Sequence, residues 1–357
     1  MIGKRINASL PAVAFAFLLG MQIAICTAAQ GQTAESKPAH DCPECGNTGK
    51  VLCPACRAGR DLWCSECAAK THCKTCDGLG WVLCPRCGGG DALAERTFML
   101  SLSDEQARIG QAVGTAVRRI ETPRFRLIND VDHRKSHLYA QLIEKYAEKF
   151  NDTFGRGAAE KMWEEKCDVY LFNSREAFVK FAVIVDGRPE VVSSGGYSCP
   201  SPARPLVVLF KESRNDDDTI RAIIHELAHV YLGLFYKNAT VPDWVQEGVA
   251  QDFEFSYKTE TSRRKESVKI LKAAIEANRL MSLTELSAMK FSPTEPLPYA
   301  ASWSAVSFLI STDKKAFVEW VKLMKDGKDQ HTAFSAIFAG PMPSANAAWR
   351  QYIGRLK

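Results

Sequence analysis

The hydrophobic pattern divides the chain into three stretches. From Leu10 to Ala24 the positions are mostly apolar, with Val13, Phe15, Phe17, Leu18, Leu19, Met21 and Ile23 in the run. Lys4 and Arg5 precede it, and the small residues Thr27, Ala28 and Ala29 follow. That order predicts an export signal over residues 1–29, cleaved near Ala29. An uncleaved anchor helix is the alternative. A lipoprotein signal at Cys26 fits less well, because bulky Ile25 stands where a small residue is wanted. No later apolar run is long enough to span a bilayer. Residues 30–41 are polar and small and predict a linker.

Beyond residue 90 the periods alternate between helix and strand. Leu102 to Arg119 predicts a helix opened by Ser103, Asp104 and Glu105. Phe125 to Ile128 predicts a strand. Leu138, Leu142, Ile143, Tyr146 and Phe150 recur at helical spacing through His137–Phe150. Cys167 to Phe172 predicts a second strand, and Ser174 caps a helix from Arg175 to about Val185. Val191–Tyr197 and Pro205–Phe210 predict two further strands joined through Cys199 and Pro200. Asp217, Asp218 and Thr219 then open a long helix that carries on to about Lys237. From Phe125 the order is β-α-β-α-β-β-α, followed by helices, which is an α+β arrangement.

Composition changes this picture at one place. A chain of 357 residues with 46% apolar and 24% charged residues has room for one or two ordinary cores. The net charge of +5 is too mild to argue for nucleic acid or a membrane surface as partner. The cysteines, however, are concentrated: of 13 in the chain, ten lie between Cys42 and Cys87. They form five C-x-x-C pairs: Cys42 with Cys45, Cys53 with Cys56, Cys64 with Cys67, Cys73 with Cys76, and Cys84 with Cys87. Two sets repeat the spacing C-x2-C-x7-C-x2-C: Cys42, Cys45, Cys53, Cys56, and then Cys73, Cys76, Cys84, Cys87. Two C-x-x-C turns can close a tetrahedral four-thiolate zinc site. Glycines such as Gly78 and Gly80 supply the positive φ a knuckle needs. The competing reading is a disulfide framework, which export favours. Residues 42–90 resemble the cysteine-rich zinc domain of DnaJ-type chaperones, in which non-adjacent repeats share zinc. The fifth pair, Cys64 and Cys67, departs from that pattern; it could take His72 or His40 as partners or stay a dithiol. The resemblance implies two structural zinc ions. Residues 91–121 predict a linker and helix, and 122–357 the main domain.

The candidate chemistry of the main domain lies in Ile224-His225-Glu226-Leu227-Ala228-His229. Histidines four apart share one helix face and can reach one metal ion, with Glu226 beside them to act on water. A third ligand is needed, and Glu247 on the next helix, within Pro242-Asp243-Trp244-Val245-Gln246-Glu247-Gly248-Val249-Ala250, can supply it. A histidine six residues after His229 would be the alternative, but Phe235 stands there. Two histidines and one glutamate with an open fourth position are the composition of a catalytic zinc site. Lone histidines at 133, 137 and 331 read as surface or core residues. Cys167 and Cys199, the only cysteines of this domain, could form a disulfide or remain two buried thiols.

H-E-L-A-H followed by W-V-Q-E-G-V-A resembles the gluzincin metallopeptidases, within them the peptidase MA-like group, over roughly residues 122–355. The resemblance implies a zincin-like fold: a mixed sheet, active-site helices and a helical C-terminal part, preceded here by the small cysteine-rich module. It implies that His225, His229 and Glu247 hold the catalytic zinc and that Glu226 is the general base. It also implies that Tyr299 assists the oxyanion, and that Leu206–Phe210 is the cleft-edge strand along which extended peptide lies. Asp243 and Asp252 are the candidates to orient the histidines. Gln251 stands where relatives place an acid.

These expectations amount to an exported zinc metallopeptidase, secreted or periplasmic, with one catalytic and two structural zinc ions. Its partner is a peptide or protein substrate, with no nucleic acid and no membrane contact beyond the signal or anchor segment. A zinc-knuckle, chaperone-like binder with a non-catalytic zincin scaffold is the alternative. A thiol–disulfide protein is a third possibility, but no thioredoxin-like βαβ context surrounds the C-x-x-C pairs.

Overall fold

A computed structural model describes residues 50–52, 81–86, 105–157, 162–163, 165–237, 239–258, 261–291 and 295–357. The expected signal and linker lie outside the described residues. So do nine of the ten expected knuckle cysteines: Cys42, Cys45, Cys53, Cys56, Cys64, Cys67, Cys73, Cys76 and Cys87. The pairing of Cys64 with Cys67, and every metal or disulfide assignment in that module, therefore lies outside them too. Cys84 alone of the ten is described, and it is buried. From that region two strands are described. β1 (Lys50–Leu52) pairs antiparallel with β2 (Trp81–Leu83). Each runs directly into a Leu-Cys-Pro step, at Cys53 and at Cys84.

The main domain is built on a five-stranded mixed sheet. Its strands are β3 (Arg118–Glu121), β4 (Phe125–Asn129), β5 (Cys167–Phe172), β6 (Gly196–Cys199) and β7 (Leu206–Phe210), ordered β3-β4-β5-β7-β6. β4, β5 and β7 run parallel, and β3 and β6 close the two edges antiparallel. The central strands are largely apolar, because both of their faces are covered. Alternate residues feed two cores. Leu127, Val169, Val207 and Leu209 face α2 (His133–Thr153), α4 (Asp216–Leu234) and the helices that follow. Ile128, Tyr170, Val208 and Tyr197 face a helix over 105–113, here α1, and α3 (Arg175–Lys180).

Helices fill the remainder: α5 (Asp243–Tyr257), α6 (Ser262–Glu276), α7 (Leu283–Ala288), α8 (Pro296–Thr312), α9 (Lys314–Lys325), α10 (Gln330–Ile337) and α11 (Asn346–Arg355). α5 and α8 approach so closely that a Cβ at Gly248 would come 2.5 Å from Val306 Cγ2 and 2.6 Å from the Ser302 carbonyl oxygen. Only glycine fits there. α4 is held at both ends. Asn215 caps its start by accepting from the Asp217 amide, and Asp216 meets Lys135, Tyr139 and Lys211. At its far end the buried Lys325 ammonium donates to the carbonyls of Gly233, Lys237 and Ala239 at 2.7–2.9 Å.

Four sequence expectations change. The helix expected over Leu102–Arg119 stops at residue 113, the chain turns at Gly114 (φ +80), and Arg118–Glu121 forms the edge strand β3. Val191 ends a short 3-10 turn, so the strand expected over Val191–Tyr197 is instead Gly196–Cys199. Leu206–Phe210 lies inside the sheet between β5 and β6, so β6 is the edge strand beside the site. The Cys167 thiol is free, so the Cys167–Cys199 disulfide is not formed. β7 separates the two strands, which places the residues about 9–10 Å apart, beyond disulfide reach. They also belong to opposite cores.

Candidate metal centre

His225 and His229 lie on α4 one turn apart, with ring centroids 5.0 Å from each other. α5 packs against α4 and brings Glu247 to both. Its Oε2 is 3.6 Å from His225 Nε2, and its Oε1 is 3.9 Å from His229 Nε2. These separations are too long for hydrogen bonds. They come close to the ~3.4 Å between ligand atoms that ~2.0–2.1 Å bonds give around a tetrahedral metal. One ligand atom from each of the three residues lies within 4.8 Å of the others. His229 sharpens the fit, because it is 3% exposed and neither ring nitrogen has a hydrogen-bond partner. A buried polar group without a partner costs about 1–3 kcal/mol, so such a ring calls for a ligand. Two imidazoles and a carboxylate are the donor set that suits zinc.

His225 is oriented from behind. Its Nδ1 lies 3.2 Å from Glu254 Oε2, and Glu254 Oε1 accepts from Arg263 Nη1 at 2.6 Å. Glu254 is 1% exposed and sits two helical turns after Glu247, on the same face of α5. Neither expected orienting residue fills this role. Asp252 turns to Ser307 and Trp303, toward α8. Asp243, at the start of α5, is exposed, and partial desolvation together with the Glu247 charge raises its pKa. Gln251 is buried with its Oε1 unpartnered. The acid absent from position 251 is thus supplied one turn later, by a residue the sequence reading missed. The available signal was the seven-residue spacing from Glu247.

The charges around the centre are unbalanced. Glu226, Glu247 and Glu254 are all buried, and Arg263 is the one guanidinium ion-paired to them among the described residues. Burial works against an imidazolium at His225, yet the Glu247 and Glu254 carboxylates raise its pKa to about 10. Burial lowers His229 to about 4. A positive charge is therefore favoured between the rings and Glu247. Burial, with Glu247 nearby, pushes the Glu226 carboxyl up to about 7.

Glu226 points toward the edge strand. The Ser198 hydroxyl lies near enough to favour its charged form, while Oε2 has no hydrogen-bond partner. A Cβ at Gly196 would come 3.2 Å from its Oε1, so glycine there leaves the carboxylate open to the strand's backbone. Tyr299 on α8 is buried, and burial together with the Glu247 and Asp243 charges pushes its phenol upward. The fold thus gathers His225, His229, Glu247, Glu226 and Tyr299 around one region.

Taken together, the mixed sheet, the paired helices and this donor set make a metallopeptidase-like domain. The family model of the Peptidase MA superfamily matches residues 168–355, more than half of the chain, and the chain belongs to that superfamily. No curated protein matches it.

Proposed function

We propose that this protein is a zinc-dependent peptidase that hydrolyses peptide bonds in extended substrates. The observation that carries the proposal is a buried His229 ring with no partner, beside His225 and Glu247, and close to a carboxyl that faces an edge strand. His225, His229 and Glu247 would hold the zinc. When bound, zinc supplies Lewis acidity, which acidifies water and polarises a carbonyl.

The other roles fall to the chain's own groups. Glu254, braced by Arg263, keeps His225 turned with Nε2 toward Glu247. Glu226 accepts a proton from the attacking water and returns it to the leaving amine. Tyr299 donates to the oxygen on which negative charge develops. β6 has β7 on one side only among the described residues, so its outer edge offers backbone groups to a substrate strand. Export and two structural zinc ions in the cysteine-rich module belong to the same proposal. The sequence pattern supports both.

The deciding experiment pairs metal analysis with Glu226→Gln. The variant should keep the metal bound by His225, His229 and Glu247, while hydrolysis of a peptide library falls by ~10²–10⁴. Cleavage at the wild-type rate would remove Glu226 from the mechanism. A wild-type protein that binds metal and peptide but cleaves nothing would favour the scaffold alternative.

A further inference from the structure

A second charged cluster lies on the other side of the sheet, under α1. Arg126 and Asp168 alternate along β4 and β5 with residues of the α4-side core, so they face away from the metal centre. Asp168 is 3% exposed and accepts from Arg126 Nε at Oδ1 and from Arg204 Nε at Oδ2, the latter at 3.3 Å. Arg204 also donates to the Tyr170 hydroxyl at 2.8 Å and comes within 3.8 Å of Glu105 on α1. The β3–β4 register sets Arg119 opposite Ile128, on this same face.

Arg119 is where the cluster is incomplete. Its side chain is 9% exposed, and its Nε is buried with no hydrogen-bond partner. Among the described residues its one carboxylate contact is Glu121, which is shared with Lys166 at 2.6 Å. Arg126 is paired to the buried Asp168, whereas the carboxylate beside Arg119, Glu121, is 39% exposed. The three guanidiniums line a cavity of about 70 Å³ together with Asp168, Tyr170 and Glu105. That is room for about two waters at ~30 Å³ each, or one tetrahedral oxyanion. Water could satisfy the orphan N–H but would leave the excess charge in place. An oxyanion does both, and its geometry matches the planar guanidinium fork.

We infer that this cavity binds a small oxyanion of the phosphate or sulfate class through Arg119, Arg126 and Arg204. The test is thermal denaturation of the full chain at fixed ionic strength, with inorganic phosphate replacing chloride. The transition temperature should rise with phosphate and saturate, as a ligand of the folded state requires. Arg119→Gln should weaken phosphate binding by about tenfold or more. Glu105→Gln alters a half-exposed helix residue and removes the carboxylate that competes at Arg204. It should tighten phosphate binding several-fold, and it decides the matter even where Arg119→Gln does not fold. Equal gains in phosphate and chloride would overturn the site. So would wild-type phosphate affinity in either variant.

Discussion

The two faces of the sheet each carry a buried charge cluster, and the two are short of opposite partners. On the α4 side, Glu226, Glu247 and Glu254 surround two histidines with one guanidinium ion-paired to them among the described residues, and His229 has no hydrogen bond from either ring nitrogen. On the α1 side, Arg126 and Arg204 share Asp168, Arg119 has only the more exposed Glu121 among the described residues, and the orphan atom is an Arg119 N–H. Both clusters violate the rule that buried charges are paired and buried polar atoms satisfied. The sign of each deficit names the kind of ligand that would correct it. One face asks for a cation, the other for an anion. A structural ion-pair cluster would show no such deficit.

The strongest way to break this contrast is to remove a ring from the cation side. His229→Ala should weaken metal binding by on the order of a hundred- to a thousand-fold, about one ligand's share of a ~10–16 kcal/mol zinc site. Hydrolysis should vanish with it. Metal content unchanged after dialysis against a chelator would mean that the unpartnered ring is only a buried histidine. The phosphate response of the other face should stay as in the wild type, because the two clusters share no residue.

A smaller effect separates orientation from ligation. Glu254→Gln should lower metal affinity by ~10–100-fold, the usual cost of losing the partner of a metal-bound histidine. Arg263→Lys keeps a cation beside Glu254 and should recover part of that affinity relative to Arg263→Ala. Asp252→Asn should leave metal affinity unchanged, since Asp252 turns toward α8. Chelator competition measures all four. A larger loss from Asp252→Asn than from Glu254→Gln would reverse the assignment.

Why one acid and not the other could not be read from the chain, whereas the ligands could. His225 and His229 are legible because a four-residue spacing means the same thing on any helix, and Glu247 because its helix is close in sequence. Glu254 lies two turns beyond, and its role depends on Arg263 arriving from α6. No local spacing encodes that meeting. The sheet divides in the same way. β4, β5 and β7 are legible as largely apolar runs, but β3 is four residues of mixed charge that continue a helical pattern, and β6 is short and begins at glycine. The unbroken apolar run Leu206–Phe210 signals an interior strand covered on both faces, against the edge position that the family resemblance implied. The α1-side cluster is invisible in the chain. Arg119, Arg126, Asp168 and Arg204 are scattered over 86 positions, and only strand register places them together.

The smallest effect comes from a charged group whose partners are complete, and it serves as the control for both faces. Asp216, in the first turn of α4, accepts from Lys135 at 2.9 Å, Tyr139 at 2.8 Å and Lys211 at 3.1 Å. Partial burial opposes its charge, but these three donors hold its pKa down at about 2, against an ordinary 3.8. A carboxyl depressed by folding stabilises the fold above its unfolded pKa, and that stability is lost as pH falls through 3.8 toward 2. Asp216 is about one-third exposed, so solvent screening keeps the effect to a few degrees in transition temperature. In metal-stripped protein, Asp216→Asn should therefore unfold at a lower temperature than wild type at about pH 5, with the gap closing toward about pH 2. The gap should respond to neither zinc nor phosphate, because nothing around Asp216 is missing. A gap that widened on adding either ion would mean that charge deficits do not mark the ligand sites in this domain.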